Sequence, residues 1–322
     1  MATLHSIDSF KGTHNMANLK PLKTIDITKR YRHIRPVPRM PNFAAWIEGV
    51  DLTKPMSQAV QKELRQALWD FEVIFFRPQT ITPKQHIALA KVFGPTSSGS
   101  YFERKEDFPE IEMIVNNKNK PPSIDNWHTD ISWKDSPPLG TAIQITVTPP
   151  AGGNTCWLST SKAFEWLSPG MQTYLKGLQA EHTWEVSGFR DILGARGDDA
   201  LMAAIKAYKP VIHPVIRTNP DSGRPCIFVN SSFTKRILGV DRQEAEGIFY
   251  FLKNWLKKPE FMVHHQWEPG GIAIWDNRST QHYALADYWP HERVNQRVTF
   301  DEPHSSKQKK NPAKSAKKRS AA

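Results

Sequence analysis

The sequence predicts a mainly β fold with helices packed on its outside, a β-sandwich or jelly roll built as one large unit. Three observations predict it. Most apolar segments are short, roughly four to eight residues, and end in Gly, Pro, Asn or Asp turns. The segments of helical period cluster early and between strands instead of alternating with them, so no βαβ series develops. A run of strand-like segments after His213 closes the chain, and no glycine-rich phosphate loop occurs anywhere.

Residues 1–32 show no sustained period and read as a flexible extension. A strand pattern begins at Ile34 and continues through the segment from Phe43 to Leu52. Met56 to Phe71 is helical, with Val60, Leu64, Leu68 and Phe71 on one stripe and Ser57 as its N-cap. Val73 to Phe76 is a fully apolar strand stopped by Pro78. Thr82-Pro83 opens a second helix through Phe93, proline being tolerated in a first turn. Ile111 to Val115 and Thr141 to Thr148 are strands, separated by a polar, proline-containing loop. Ser159 to Leu167 and Pro169 to Leu178 are short helices, and 185–209 reads as an excursion or lid. Val211 to Arg217 and Cys226 to Val229 form a hairpin across Asn219-Pro220-Asp221-Ser222-Gly223. Asp241 to Leu256 is an amphipathic helix. Three strands follow: Phe261 to Trp267, Gly271 to Trp275 and Arg293 to Phe300.

The composition supports a folded domain: 39% hydrophobic residues, with 11 Trp and 16 Phe, can fill a sizeable core. No run of 18 apolar residues exists and the N-terminus lacks the apolar stretch of a secretory signal, so the expectation is a cytoplasmic protein without a membrane partner. Cys156 and Cys226 have no metal or redox spacing and read as reduced thiols. The net charge of +11 invites a nucleic-acid partner, but seven basic residues from Lys307 onward carry most of it and leave +4 on the rest. Residues 304–322 therefore read as a basic, disordered tail and 33–303 as the folded domain, with nucleic-acid binding disfavoured.

Trp127-His128-Thr129-Asp130 is the chemically informative stretch. On an extended strand, His128 and Asp130 would project to the same face. With a second imidazole from elsewhere, two His and one carboxylate make the facial site of non-haem Fe(II) oxygenases. The bare tripeptide is more often a surface hydrogen-bond pair. Near the end, Arg293, Asn295 and Arg297 share one face of a strand by period 2. Two arginines there cost desolvation unless they meet anions, or else the face is solvated. Asp276 is a rival carboxylate without a same-strand His. His182, His213, His264 and His265 read as packed or surface histidines.

Several segments, in order, carry a resemblance: Ile47-Glu48-Gly49-Val50-Asp51-Leu52, Asn126-Trp127-His128-Thr129-Asp130, Pro137-Pro138, Gly152-Gly153-Asn154-Thr155, Phe228-Val229-Asn230, Ile274-Trp275-Asp276-Asn277-Arg278, Gln281-His282-Tyr283 and Arg293. Over about 33 to 300 the chain resembles the taurine dioxygenase and 2,4-dichlorophenoxyacetate dioxygenase family of Fe(II)- and 2-oxoglutarate-dependent oxygenases. The resemblance implies a double-stranded β-helix, a jelly-roll variant, and a homo-oligomer, dimer or tetramer. It implies that His128, Asp130 and His282 hold the iron, that Arg293 and Thr155 bind the distal carboxylate of 2-oxoglutarate, and that Arg297 grips the anionic group of a small organic acid. O2 and 2-oxoglutarate are the implied co-substrates, with succinate and CO2 as co-products.

Two family substrate positions are Gly99 and Phe102 here, and Ser123-Ile124 replaces an Asp-Asn pair. More room and a more apolar wall favour an acid bulkier than taurine. Two other readings stay open beside this one. A zinc hydrolase could use the same three ligands, and a non-catalytic jelly-roll protein could use its basic tail on nucleic acid.

Overall fold

The computed structural model describes residues 25–97, 102–123, 126–188, 190, 194 and 197–303. Its strands are β1 (Arg35–Met40), β2 (Phe43–Glu48), β3 (Val73–Phe76), β4 (Glu103–Lys105), β5 (Phe108–Asn116), β6 (Gly140–Val147), β7 (Thr155–Ser159), β8 (Gln179–His182), β9 (Val211–Pro214), β10 (Ile216–Thr218), β11 (Pro225–Ile227), β12 (Thr234–Leu238), β13 (Met262–His265), β14 (Ile272–Asp276), β15 (Thr280–Ala284) and β16 (Arg293–Phe300). The helices are α1 (Ile27–Arg30), α2 (Gln58–Phe71), α3 (Pro83–Lys91), α4 (Thr160–Glu165), α5 (Pro169–Lys176), α6 (Asp198–Ala207) and α7 (Arg242–Leu256). The fold is mixed and sheet-rich with peripheral helices.

Eight strands form one sheet in the order β1-β2-β3-β14-β6-β16-β5-β4, and β13-β7-β15 form a second of three. Nearly all pairs are antiparallel; β2 and β3 run parallel. Both faces of the large sheet are buried, so β3 and residues 272–275 of β14 are apolar at every position and not alternately polar. Ile74 and Phe76 of β3, with Ile272 and Ile274 of β14, meet Leu64, Leu68 and Phe71 of α2 and Leu89 of α3 on the outer face. Val73, Phe75, Ala273 and Trp275 face the other way, toward Trp157 of β7. Each such Leu or Phe removed from water contributes about 1.5–3 kcal/mol. A third core lies under α4, α5 and α7, with Leu158, Phe164, Leu175, Leu252 and Leu256.

The helix ends follow their sequence signals. Ser57 Oγ accepts from Val60 N, and Thr82 and Asp241 form capping boxes with Gln85 and Glu244. Several expectations need correction. Val211 to Arg217 is not one strand. It breaks at Pro214-Val215, so β9 joins β8 and β12 while β10 pairs with β11. The 185–209 excursion contains α6. β7 and β15, too short to stand out by period, were not anticipated as strands. No helix among the described residues is long and apolar enough to cross a membrane.

Candidate active site

The two sheets contribute to one cavity of about 210 Å³. β16 supplies Arg293, Asn295 and Arg297 from the large sheet; β7 and β15 supply Thr155 and His282 from the small one. His128 and Asp130 enter on a connecting segment. The expectation that they lie on one strand is wrong. His128 makes an isolated bridge to His282, and Asp130 opens a turn whose next residue, Ile131, has φ +53°. Two local devices set the shared direction instead. His128 N–H donates to His282 O at 3.1 Å and His282 N–H donates to His128 O at 2.9 Å. Asn277 Oδ1 accepts from Asp130 N at 2.8 Å, while its Nδ2 donates to Asp130 O at 2.9 Å and Pro138 O at 3.1 Å.

Asn277 is itself fixed by its turn. Asp276 chelates Arg278, Nε to Oδ1 at 2.9 Å and Nη2 to Oδ2 at 2.7 Å, and Asp221 adds a 2.7 Å contact. Asp276, the rival carboxylate, is thereby committed to a structural ion pair, and Asn219 Nδ2 donates to it as well.

His128, Asp130 and His282 are buried, and one ligand atom from each lies within 4.8 Å of the others. His128 Nδ1 lies 2.7 Å from Asn126 O; a carbonyl can only accept, so Nδ1 carries the proton and Nε2 presents its lone pair. That Nε2 is 3.5 Å from Asp130 Oδ1, and His282 Nε2 is 3.9 Å from the same oxygen. Burial, then the neighbouring His128, pushes the His282 imidazole down to about 3, leaving it neutral as a ligand must be. Burial alone would raise the Asp130 carboxyl; Arg297, His282 and His128 outweigh it and hold it well below the usual carboxylate range. Asp130 Oδ2 and His282 Nδ1 are buried without a hydrogen-bond partner among the described residues. Two neutral imidazoles and a carboxylate with unmet acceptor capacity suit a divalent cation with an N,N,O donor set.

Arg293 fits a carboxylate. Its Nε donates to Gly153 O at 2.9 Å and its Nη2 to Thr155 Oγ1 at 3.3 Å, both neutral acceptors. Among the described residues no carboxylate pairs with it, and burial pulls the guanidinium below its usual range. Thr155 Oγ1 also accepts from Trp267 Nε1 at 2.9 Å, so its own hydrogen remains to donate. Gly153 is required here. Its φ is +66°, and a Cβ would come within 2.9 Å of Pro149 Cγ and 3.2 Å of Arg293 Cδ.

Arg297 is in a different state. Its Nε and Nη2 meet Glu112 Oε2 at 2.8 and 2.6 Å, and its Nη1 is 3.6 Å from Asp130 Oδ2. Burial lowers its pKa, but Glu112 and then Asp130 more than reverse this. Phe102 lines the cavity with its ring centroid 5.0 Å from the guanidinium carbon. Gly99 lies outside the described residues, as do Ile124, residues 1–24 and the tail 304–322.

Sequence reasoning missed Glu112 and the bridging role of Asn277. Glu112 stands directly opposite Arg297 in the β5–β16 register. A buried acid flanked by Ile111 and Met113 is a signal, but only the strand pairing names its partner. His182, His213 and His265 are buried in packing and His264 is exposed, all outside the triad.

Comparison with known proteins shows the family. The family model described as Taurine catabolism dioxygenase TauD, TfdA family matches residues 33–299. The chain is 28% identical over 270 residues to an alkylsulfatase of Acinetobacter baylyi, covering 80% of this chain and 82% of that one. It is 28% identical over 262 residues to an alpha-ketoglutarate-dependent 2,4-dichlorophenoxyacetate dioxygenase of Cupriavidus pinatubonensis, covering 76% and 90%. The crystal structure of a taurine dioxygenase from Burkholderia xenovorans superimposes with a TM-score of 0.71 at 29% identity, covering 84% and 91%.

Proposed function

The chain belongs to the taurine catabolism dioxygenase TauD, TfdA family, and on that premise we propose that it hydroxylates a small organic acid and releases succinate and CO2. It is a 2-oxoglutarate-dependent non-haem iron dioxygenase, using Fe(II), 2-oxoglutarate and O2. The relatives' names carry sulfate esters, sulfonates and 2,4-dichlorophenoxyacetate, which sets the substrate class proposed here.

In this reading His128, Asp130 and His282 hold the iron. Arg293 and Thr155 take the distal carboxylate of 2-oxoglutarate, and Arg297, Phe102 and Gly99 belong to the primary-substrate end. Iron, 2-oxoglutarate and O2 together supply oxidative decarboxylation coupled to insertion of one oxygen atom into a substrate C–H bond, the second oxygen atom going to succinate. The protein supplies position and exclusion of water. Asn126 O keeps the His128 proton on Nδ1, Asn277 holds the Asp130 turn, and Trp275, its ring 4.8 Å from that of His282, shields the triad from one side.

The observation that carries this reading is Arg293: a buried guanidinium with no ion-paired carboxylate among the described residues, beside a hydroxyl with a hydrogen left to donate, in the same cavity as the triad. A zinc hydrolase or a binding module has no use for that clamp. The same reading takes the fold as a double-stranded β-helix, 33–303 as the catalytic unit, the assembly as a dimer or tetramer and the compartment as the cytoplasm. The family match over 33–299 and the free thiols of Cys156 and Cys226 support the second and the last. The test is oxygen uptake and succinate release with Fe(II) and 2-oxoglutarate across sulfonates, alkyl sulfates and aryloxyalkanoates. Absence of succinate with every compound and without any would overturn it.

A further inference from the structure

Three Lys or Arg side chains line the cavity among the described residues: Lys120, Arg293 and Arg297. Lys120 sits half exposed at the rim, 3.3 Å from Glu103. Arg293 has neutral partners and is free to meet the dianionic co-substrate. Arg297 alone could meet a second anion from inside, and it is already engaged. Glu112 takes two of its three nitrogens from behind, and Asp130 lies beside the third. Glu112 does not line the cavity, so an entering ligand feels its charge without touching it.

Counting formal charges on the loaded site makes the consequence concrete. Replacing Glu112 by a neutral residue would make the loaded site one unit more positive and so favour a monoanion. The wall also carries large apolar side chains, Phe102, Ile131, Trp133, Ile143 and Phe233, beside polar ones such as Asn116, Ser232 and Asn295.

We infer that Glu112 is a specificity-determining residue: by neutralising Arg297 it makes the enzyme select organic acids by their apolar body and not by their anionic head. This deepens the proposed function and rests on it, since it takes the cavity as the substrate's. Small, head-dominated acids are disfavoured. Acids with an extended alkyl or aryl body gain affinity from burial, each methylene removed from water adding a roughly constant increment.

The test is equilibrium titration of the full-length Fe(II)- and 2-oxoglutarate-loaded protein under anaerobic conditions, read by intrinsic tryptophan fluorescence. The probes are methanesulfonate and octanesulfonate, which share a head and differ in body. The wild type is expected to bind octanesulfonate at least a hundredfold more tightly than methanesulfonate. Glu112→Gln, which keeps an acceptor for Arg297 and removes the charge, is expected to tighten methanesulfonate at least tenfold. Three results overturn the inference: a wild type that binds both probes equally, a wild type that binds no octanesulfonate, or a Glu112→Gln protein whose affinity for methanesulfonate is unchanged. If Glu112→Gln does not fold, Glu112→Asn is titrated in its place, with the same tenfold gain for methanesulfonate expected and an unchanged affinity overturning the inference. Failure of the oxygenase reading shows separately, as absence of 2-oxoglutarate decarboxylation by the wild type.

Discussion

His128 and His282, 154 positions apart, are joined by a reciprocal pair of backbone hydrogen bonds, 3.1 Å in one direction and 2.9 Å in the other. The two imidazoles therefore owe their mutual placement to main chain and not to each other. Their ring centroids lie 4.1 Å apart, and the third donor, Asp130, is held from its own backbone by Asn277.

Side-chain deletion in the triad should consequently leave the fold intact and remove the metal. His128→Ala, Asp130→Ala and His282→Ala are each expected to lose Fe(II) affinity by more than the roughly hundredfold upper end seen for outer-shell changes, with turnover abolished. Titration calorimetry with Fe(II), alongside circular dichroism, checks both halves. A variant that keeps near-normal iron affinity removes that residue from the ligand set.

The two arginines of β16 should separate by stability as well as by ligand. Arg297→Leu strands Glu112 in the interior and should cost about 3–5 kcal/mol. The double change Glu112→Leu with Arg297→Leu should recover much of that loss. Arg293→Leu leaves no carboxylate behind, so its cost should appear in the co-substrate: about 3–5 kcal/mol in an ion pair formed on binding, or roughly two to three and a half decades in the apparent constant for 2-oxoglutarate. Urea unfolding of the four proteins and 2-oxoglutarate titrations measure the two effects. Equal loss of 2-oxoglutarate binding by both single variants would end the division of labour.

What the sequence made legible was local. α2, α3 and α7 announce themselves through period, N-cap and proline, and β16 through the alternation of Arg293, Asn295 and Arg297. The three members of the triad were legible through motif order. The geometry behind them was not. His128 and Asp130 share a direction through bonds to His282 and Asn277, and both partners are more than 140 positions away. Glu112 reads as a misplaced acid until β5 is laid beside β16, and no local property of either strand specifies that pairing. β15, five residues long and carrying His282 of the triad, lacks the length to show a period at all.

The proposed catalytic unit makes a direct prediction about the tail. A chain ending at Pro303 retains β16 and the Arg278–Glu302 contact, 3.2 Å between Nη1 and Oε1. Such a chain is expected to keep its melting temperature and its turnover on a small substrate. A fall in either on removing 304–322 would assign the basic segment a part in the domain.

His86 offers a pH prediction remote from the metal. It is fully buried on α3, its Nε2 3.1 Å from Ala142 O of β6 and its Nδ1 without a partner among the described residues. Burial is the larger influence and pushes the imidazole from 6.5 down to about 4, against a smaller opposing effect of that carbonyl. The sign follows from proton counting. Below about pH 6.5 the unfolded chain binds a proton at this position, and the folded chain does not until about pH 4. Stability is therefore fully present above pH 6.5 and declines as pH falls through that window, by about 1.4 kcal/mol per unit where the difference is one full proton. His86→Gln retains a donor for Ala142 O and cannot titrate. Between pH 7.5 and pH 5 the metal-free wild type is expected to lose about 2 kcal/mol more than this variant, measured by urea unfolding at both pH values. Parallel losses in the two proteins would mean that His86 is protonated in the folded state and has found an acceptor for Nδ1–H.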